Sequence, residues 1–183
     1  MASSFQPFCA FQDVTSRHAV IAVDIGYSSK RKTCGLACDE QIVPRSLCFG
    51  ECVTEVAELC RKLEDPILVI EAPLSTRHQE NGNPAMRGSF EKAREWYRGP
   101  GAMTLLAAMR FLKEVGNRLP AGRPIFLAEA FLSKKKTKSR HEDDARRIVD
   151  EFWRRENETL YEGVEPAVDL ISGVPCVRVF PTE

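Results

Sequence analysis

Acids stand near the ends of, or inside, three apolar runs, and others open a late helix. Asp24 closes the run in "IAVDIG" (Ile21 to Gly26), and Glu71 interrupts "VIEAPLS" (Val69 to Ser75). Glu129 sits inside "LAEAFLS" (Leu127 to Ser133), and Asp144 lies in "HEDDA" (His141 to Ala145). A buried charge costs several kcal/mol unless it is paired or bound to a metal. Acids from separate segments, if they converge without a basic partner among them, define a cation site. His141 precedes Asp144 by three residues and shares its helical face, where it suits metal ligation or proton transfer. Each residue also has a plainer use. An acid near Gly26 caps a turn, acids in a first helical turn answer the helix dipole, and a His there serves as a cap.

Cations flank these acids. Lys30, Arg31 and Lys32 follow Asp24. The run "KKKTKSR" places Lys134, Lys135, Lys136, Lys138 and Arg140 between Glu129 and His141. Both groups suit the gripping of phosphates, and both equally suit a solvated loop. The polar stretch 76–101 adds Arg77, Arg87, Arg94 and Arg98, with Trp96 and Tyr97 as stacking residues or packing anchors. Long irregular segments inside a domain are usually functional loops or lids.

The elements that must position these groups are legible from periodicity. "HAVIAVDI", "TCGLACDE" and "IVPRSLCFG" read as three short strands joined by tight turns, an antiparallel meander in which Pro44 weakens the third. Val53, Val56, Leu59, Cys60 and Leu63 then recur at helical spacing up to Asp65-Pro66. "PILVIEAPLS" is a buried strand. A short helix is expected around 90–97, and an amphipathic helix ends near Gly116. "RPIFLAEAFLS" is a further strand, "HEDDARRIVDEFWRRENE" a helix and "VPCVRVF" a last strand. Helix-to-strand crossovers make the later strands parallel. The expected fold class is α/β: a mixed sheet, antiparallel in its first three strands and parallel beyond, flanked by helices.

Composition sets the frame. The 183 residues suffice for one domain with a full core, read as 18–183 behind an N-terminal arm at 1–17. The net charge is zero, which argues against indiscriminate attraction of nucleic acid over the whole surface while leaving local patches open. No apolar run approaches the roughly 20 residues of a membrane span, so no membrane partner is expected, and the start lacks the marks of a signal peptide. The seven cysteines, an odd number, point to reduced thiols and a cytoplasmic protein. The pairs Cys34/Cys38 and Cys48/Cys52 invite a zinc reading. Both are expected on strands or strand ends, where i and i+4 stand too far apart to share a metal, so buried apolar thiols are preferred.

Strand-Asp, two strands, helix, strand-Glu, helix, strand and a late helix with Asp resembles the ribonuclease H-like fold over about 19–153. It is most similar to the Holliday-junction-resolvase-like branch and to a family of predicted nucleases with VDhG, hIEAPLS and HxxDA motifs. The resemblance implies Asp24, Glu71 and Asp144 as ligands of Mg²⁺ or Mn²⁺, with His141 and Glu129 as further catalytic candidates. Their charge and their position near the acids make Lys30, Lys32, Arg87, Lys134, Lys135, Lys136, Lys138 and Arg140 the candidate substrate contacts. Carboxylates are the hard oxygen donors that Mg²⁺ prefers, and two such ions activate a water and stabilise a leaving alkoxide, as phosphodiester hydrolysis requires. The implied function is a metal-dependent nuclease or related phosphohydrolase acting on DNA or RNA. Junction-cutting relatives are dimers, which makes a homodimer the implied assembly, although no segment here marks a dimer face. Two alternatives stand beside this one. "VDIGYSS" is similar to the first phosphate loop of the actin and sugar-kinase ATPases, and the same sheet also serves non-catalytic nucleic-acid-binding modules.

Overall fold

The computed structural model describes residues 5–7, 18–40, 42–78, 80–81, 83–85, 99–120, 125–132, 139–154, 158–159, 165–166 and 176–179. In chain order these form β1 (Phe5–Pro7), β2 (Val20–Asp24), β3 (Cys34–Cys38), β4 (Ile42–Leu47), α1 (Phe49–Lys62), β5 (Ile67–Ile70), β6 (Ser75–His78) and β7 (Pro84–Ala85). They continue with α2 (Gly99–Gly116), β8 (Ile125–Leu132), α3 (His141–Arg154), β9 (Glu158–Thr159), β10 (Glu165–Pro166) and β11 (Cys176–Val179). The chain is a mixed α/β protein.

The main sheet runs β4-β3-β2-β5-β8-β11-β9, with β1 also on β8. β2, β3 and β4 are the antiparallel meander that the three short apolar runs require. Pro44 is accommodated because β4 is the edge strand. β5 then pairs parallel to β2, β8 to β5 and β11 to β8. The chain therefore winds outward in both directions from the β2–β5 seam, where the carboxyl ends of open sheets leave a crevice.

The two faces of the sheet are packed differently. One carries Ile21, Val23, Leu36, Ile70 and Leu127 against α1 and α2, through Val53, Val56, Phe111 and Val115. The other carries Val20, Ala22, Ala37, Val69, Ala128 and Ala130 against the Ala145, Ile148, Val149 and Phe152 stripe of α3. Burying each of the larger side chains contributes about 1.5–3 kcal/mol. The four alanines on the second face let α3 come close to the strands. Its far end is secured by Asp39, whose carboxylate accepts the Trp153 indole N–H at 2.9 Å and the Val20 amide at 3.0 Å.

Three features differ from the sequence reading. Residues 5–7 of the expected arm form a strand that shares the outer edge of β8 with β11, β1 pairing at Ile125–Leu127 and β11 at Glu129–Leu132. In the stretch 76–101, β6 and β7 form a small antiparallel pair, and the helix expected at 90–97 lies outside the described residues. Cys48 and Cys52 are on a helix rather than a strand: Cys48 is the N-cap of α1, with its amide donating to the Glu51 carboxylate at 2.9 Å. Among the described residues no helix is long and apolar enough to cross a membrane.

Candidate active site

Asp24 is the last residue of β2, and Glu71 follows β5 directly. The Glu71 amide donates to the Val23 carbonyl at 2.8 Å, one step beyond the Val23–Ile70 pair. The two acids therefore occupy neighbouring register positions at the carboxyl ends of adjacent parallel strands. Alternation along each strand sets Asp24 with Val20 and Ala22, and Glu71 with Ile67 and Val69, all on the α3 side. Both are buried, Asp24 retaining 8% of its exposure.

α3 brings His141 to this pair. Its Nδ1 stands 2.6 Å from Asp24 Oδ2, within the short range of charge-assisted hydrogen bonds. A carboxylate oxygen accepts, so the Nδ1–H tautomer of His141 is the one that makes this bond. The approach depends on Gly35, the register partner of Asp24 in β3. A Cβ built at Gly35 would lie 1.8 Å from the His141 carbonyl oxygen. The first turn of α3 therefore rests directly on strand backbone.

The rest of that turn is fixed by its acids. Glu142 accepts the Ser46 hydroxyl of β4, and this bond holds its carboxyl below the usual range. Asp143 is exposed and accepts from Arg140 Nε at 3.1 Å, which lowers its own pKa and raises that of Arg140. Asp144 faces the sheet, fully buried, with Arg147 Nη1 3.9 Å from Oδ1.

Beside the Asp24–His141 pair lies a cleft of about 640 Å³ lined by Gly26, Tyr27, Ser28, Lys30, Arg31 and His141, among others. The loop that forms it is folded on itself. Ser28 Oγ accepts the Arg31 amide at 2.9 Å, the Thr33 amide donates to the Arg31 carbonyl at 2.9 Å, and the Ser28 carbonyl accepts from the Phe49 amide of α1. Gly26 is required where the chain crosses Thr33, whose carbonyl oxygen would stand 2.2 Å from an added Cβ.

The candidates thus divide. Asp24, Glu71, Asp144 and His141 are on the α3 face. Glu129 is not with them. It pairs in register with Ile70, on the α1–α2 face, and its fully buried carboxylate accepts the Leu74 amide at 2.7 Å. Lys30 lines the cleft, while Lys32 is exposed outside its lining and adds only slightly to the lowering of Glu51 that the Cys48 amide mainly causes. Arg140 is engaged by Asp143 and by Glu142 at 3.3 Å. Arg87, Lys134, Lys135, Lys136 and Lys138 lie outside the described residues. Sequence reasoning passed over Gly35, although a glycine inside a strand signals close backbone approach. It also passed over Tyr27 and Ser46, which carry no such signal.

On the opposite face, the Cys52 thiol hydrogen-bonds to Cys34 and lowers its pKa, while the same bond and burial raise Cys52. Burial pushes Cys38 up to about 11.

Asp24 and Glu71 are hard oxygen donors of the kind a divalent cation such as Mg²⁺ takes. Mg²⁺ is usually held by one or two carboxylates, with water and substrate phosphate completing its shell. Asp24 and Glu71 supply such a pair of hard oxygen donors on a face without thiols, since Cys34, Cys38 and Cys52 belong to the other core. Among the described residues no group of three or more His, Cys, Asp or Glu side chains is placed to hold a metal ion, so the three-carboxylate set of Asp24, Glu71 and Asp144 is not assembled as a metal centre here. Compared with known proteins, the chain matches no family model, no curated protein and no solved structure.

Proposed function

We propose that the chain is a metal-dependent nuclease or nuclease-like phosphohydrolase of the ribonuclease H-like class. The observation that carries this reading is the Asp24–Glu71 pair at the β2–β5 seam, with His141 hydrogen-bonded to Asp24 and a cationic cleft alongside. The antiparallel meander followed by parallel strands, with helices on both faces, supports the same class.

Asp24 and Glu71 are the residues that would hold Mg²⁺ or Mn²⁺, with Asp144 one helical turn behind His141. Such an ion supplies charge stabilisation of a phosphoryl group and a more acidic water. Asp24 fixes the tautomer and the ring orientation of His141, as carboxylates do for working histidines. With Nδ1 committed to Asp24, Nε2 is the nitrogen that exchanges a proton with a water or a leaving oxygen in the cleft. Lys30 and Arg31 hold the phosphates on either side of the scissile bond.

The test is cleavage of labelled single-stranded, duplex and branched DNA and RNA with Mg²⁺ or Mn²⁺, for the wild type and for Asp24→Asn. Metal-dependent cleavage that Asp24→Asn abolishes supports the reading. Its absence on every substrate, together with an unchanged melting temperature at millimolar metal, overturns it. The phosphate-loop alternative draws on the Gly26–Thr33 lining of the cleft. It predicts a thermal shift with Mg-ATP and none with an oligonucleotide.

A further inference from the structure

We infer that the β2–β3 loop is a grip for unpaired nucleic acid, in which Tyr27 stacks on a base while Lys30 and Arg31 hold the adjoining phosphates. This rests on the nuclease reading of the neighbouring carboxylates and names the form of substrate that reaches them.

Among the residues whose exposure is described, Tyr27 is the one exposed aromatic, at 64%. Leaving a ring in water forgoes the burial that aromatic side chains normally gain. The ring is not on a mobile tip. Gly26 is pressed against Thr33 on one side of it, and Ser28 is tied to Thr33 Oγ1, Arg31 and Phe49 on the other. A rigidly based, solvent-facing ring is a stacking platform, and stacking accepts any base because every base has a π-face.

The surroundings match the rest of a nucleotide. Lys30 and Arg31 line the same cleft and are exposed, and no ion pair with either is found among the described residues. The volume of about 640 Å³ falls in the range of small-ligand sites, which is enough for a base with its sugar and phosphate. His141 forms part of the wall, so a strand gripped there passes the Asp24–His141 pair. In a duplex the faces of the bases are covered by their neighbours. A stacking contact therefore needs an unpaired segment, whereas contacts from Lys30 and Arg31 alone would hold either form.

The experiment is fluorescence anisotropy with the full chain in EDTA, where no cleavage takes place. The probes are labelled oligothymidylate of about 15 nucleotides and a blunt duplex of equal length. The wild type binds the single strand more tightly. Tyr27→Ala weakens single-strand binding about tenfold or more, leaves duplex binding unchanged and keeps the salt dependence. Tyr27→Phe binds as the wild type does. Lys30→Ala/Arg31→Ala weakens both probes and flattens the salt dependence by about two ions. Equal loss on both probes in Tyr27→Ala, or no loss on either, overturns the inference. Because binding is read without metal, the two readings separate. Single-strand selectivity that depends on Tyr27 in a chain that cuts nothing keeps the grip and removes the nuclease. Cleavage indifferent to Tyr27 does the reverse.

Discussion

Replacing Gly35 by alanine should dismantle the site from the side opposite the chemistry. The added methyl would begin 1.8 Å from the His141 carbonyl oxygen, and ordinary contact starts near 3.4 Å. Something must retreat by about 1.6 Å. β3 cannot easily do so, because it is hydrogen-bonded to β2 on one side and β4 on the other. The first turn of α3 must therefore rise. Carried by the helix, that displacement takes Nδ1 from 2.6 Å to beyond the hydrogen-bond range of about 3.2 Å from Asp24. Overpacking costs about 1–3 kcal/mol. The lost bond adds about 1.5 kcal/mol, taken at the low end because the His141 side chain is 44% exposed. Urea denaturation should show Gly35→Ala destabilised by about 3 kcal/mol. In a double-mutant cycle with Asp24→Ala the two losses should fall short of additive by about 1.5 kcal/mol, since both remove the same bond. Stability within about 0.5 kcal/mol of wild type would refute the contact, and strict additivity would refute its route through Asp24.

Three further outcomes follow from the described geometry. Glu142 and Asp143 both have folded pKa values below the ordinary carboxylate range, through Ser46 and Arg140 respectively. The unfolded chain then binds more protons, so their contribution is complete above the ordinary value and fades as pH falls through the lowered one. Acid titration of stability should steepen below about pH 4.5, less so in Glu142→Gln. Glu129→Ala leaves the Leu74 amide buried without its acceptor and should cost about 1–3 kcal/mol, while Glu129→Gln, which keeps an oxygen there, should cost less; equal losses would show that the charge matters more than the bond. Among the cysteines whose exposure is described only Cys48 is partly exposed, so peptide mapping after brief alkylation at pH 8 should find Cys48 labelled ahead of Cys34, Cys38, Cys52 and Cys60. Labelling of Cys34 at a similar rate would mean that its lowered pKa outweighs its burial.

The positions of Asp24, Glu71 and Glu129 were legible because each breaks an apolar run, and a charge inside such a run has few explanations. The inward face of α3 was equally legible: Asp144, Ala145, Ile148, Val149 and Phe152 recur at helical spacing, and all are buried. The side on which Glu129 emerges was not. β8 is buried on both faces, so its sequence lacks the alternation that marks inside from outside. Its parity is set by the Ile70–Glu129 register, which is a tertiary fact. Gly35 has the same history, since its importance comes from a helix more than a hundred residues later in the chain. The Cys48/Cys52 spacing fits strand and helix alike, and the Glu51 cap on the Cys48 amide decides for helix.

The two ends of α3 are moored to two different acids of the sheet, His141 to Asp24 and Trp153 to Asp39. Fourteen residues span about 20 Å, so the helix acts as a brace fastened at both carboxylates. The moorings are unequal. The Trp153 end is backed by the Ile148, Val149 and Phe152 packing, whereas the His141 end rests on a glycine and a half-exposed ring. Amide hydrogens at 143–145 should therefore exchange before those at 148–152. The less firmly held end of the helix is thus the one beside the cleft, and any ligand that bridges Asp24 and His141 should slow that exchange first.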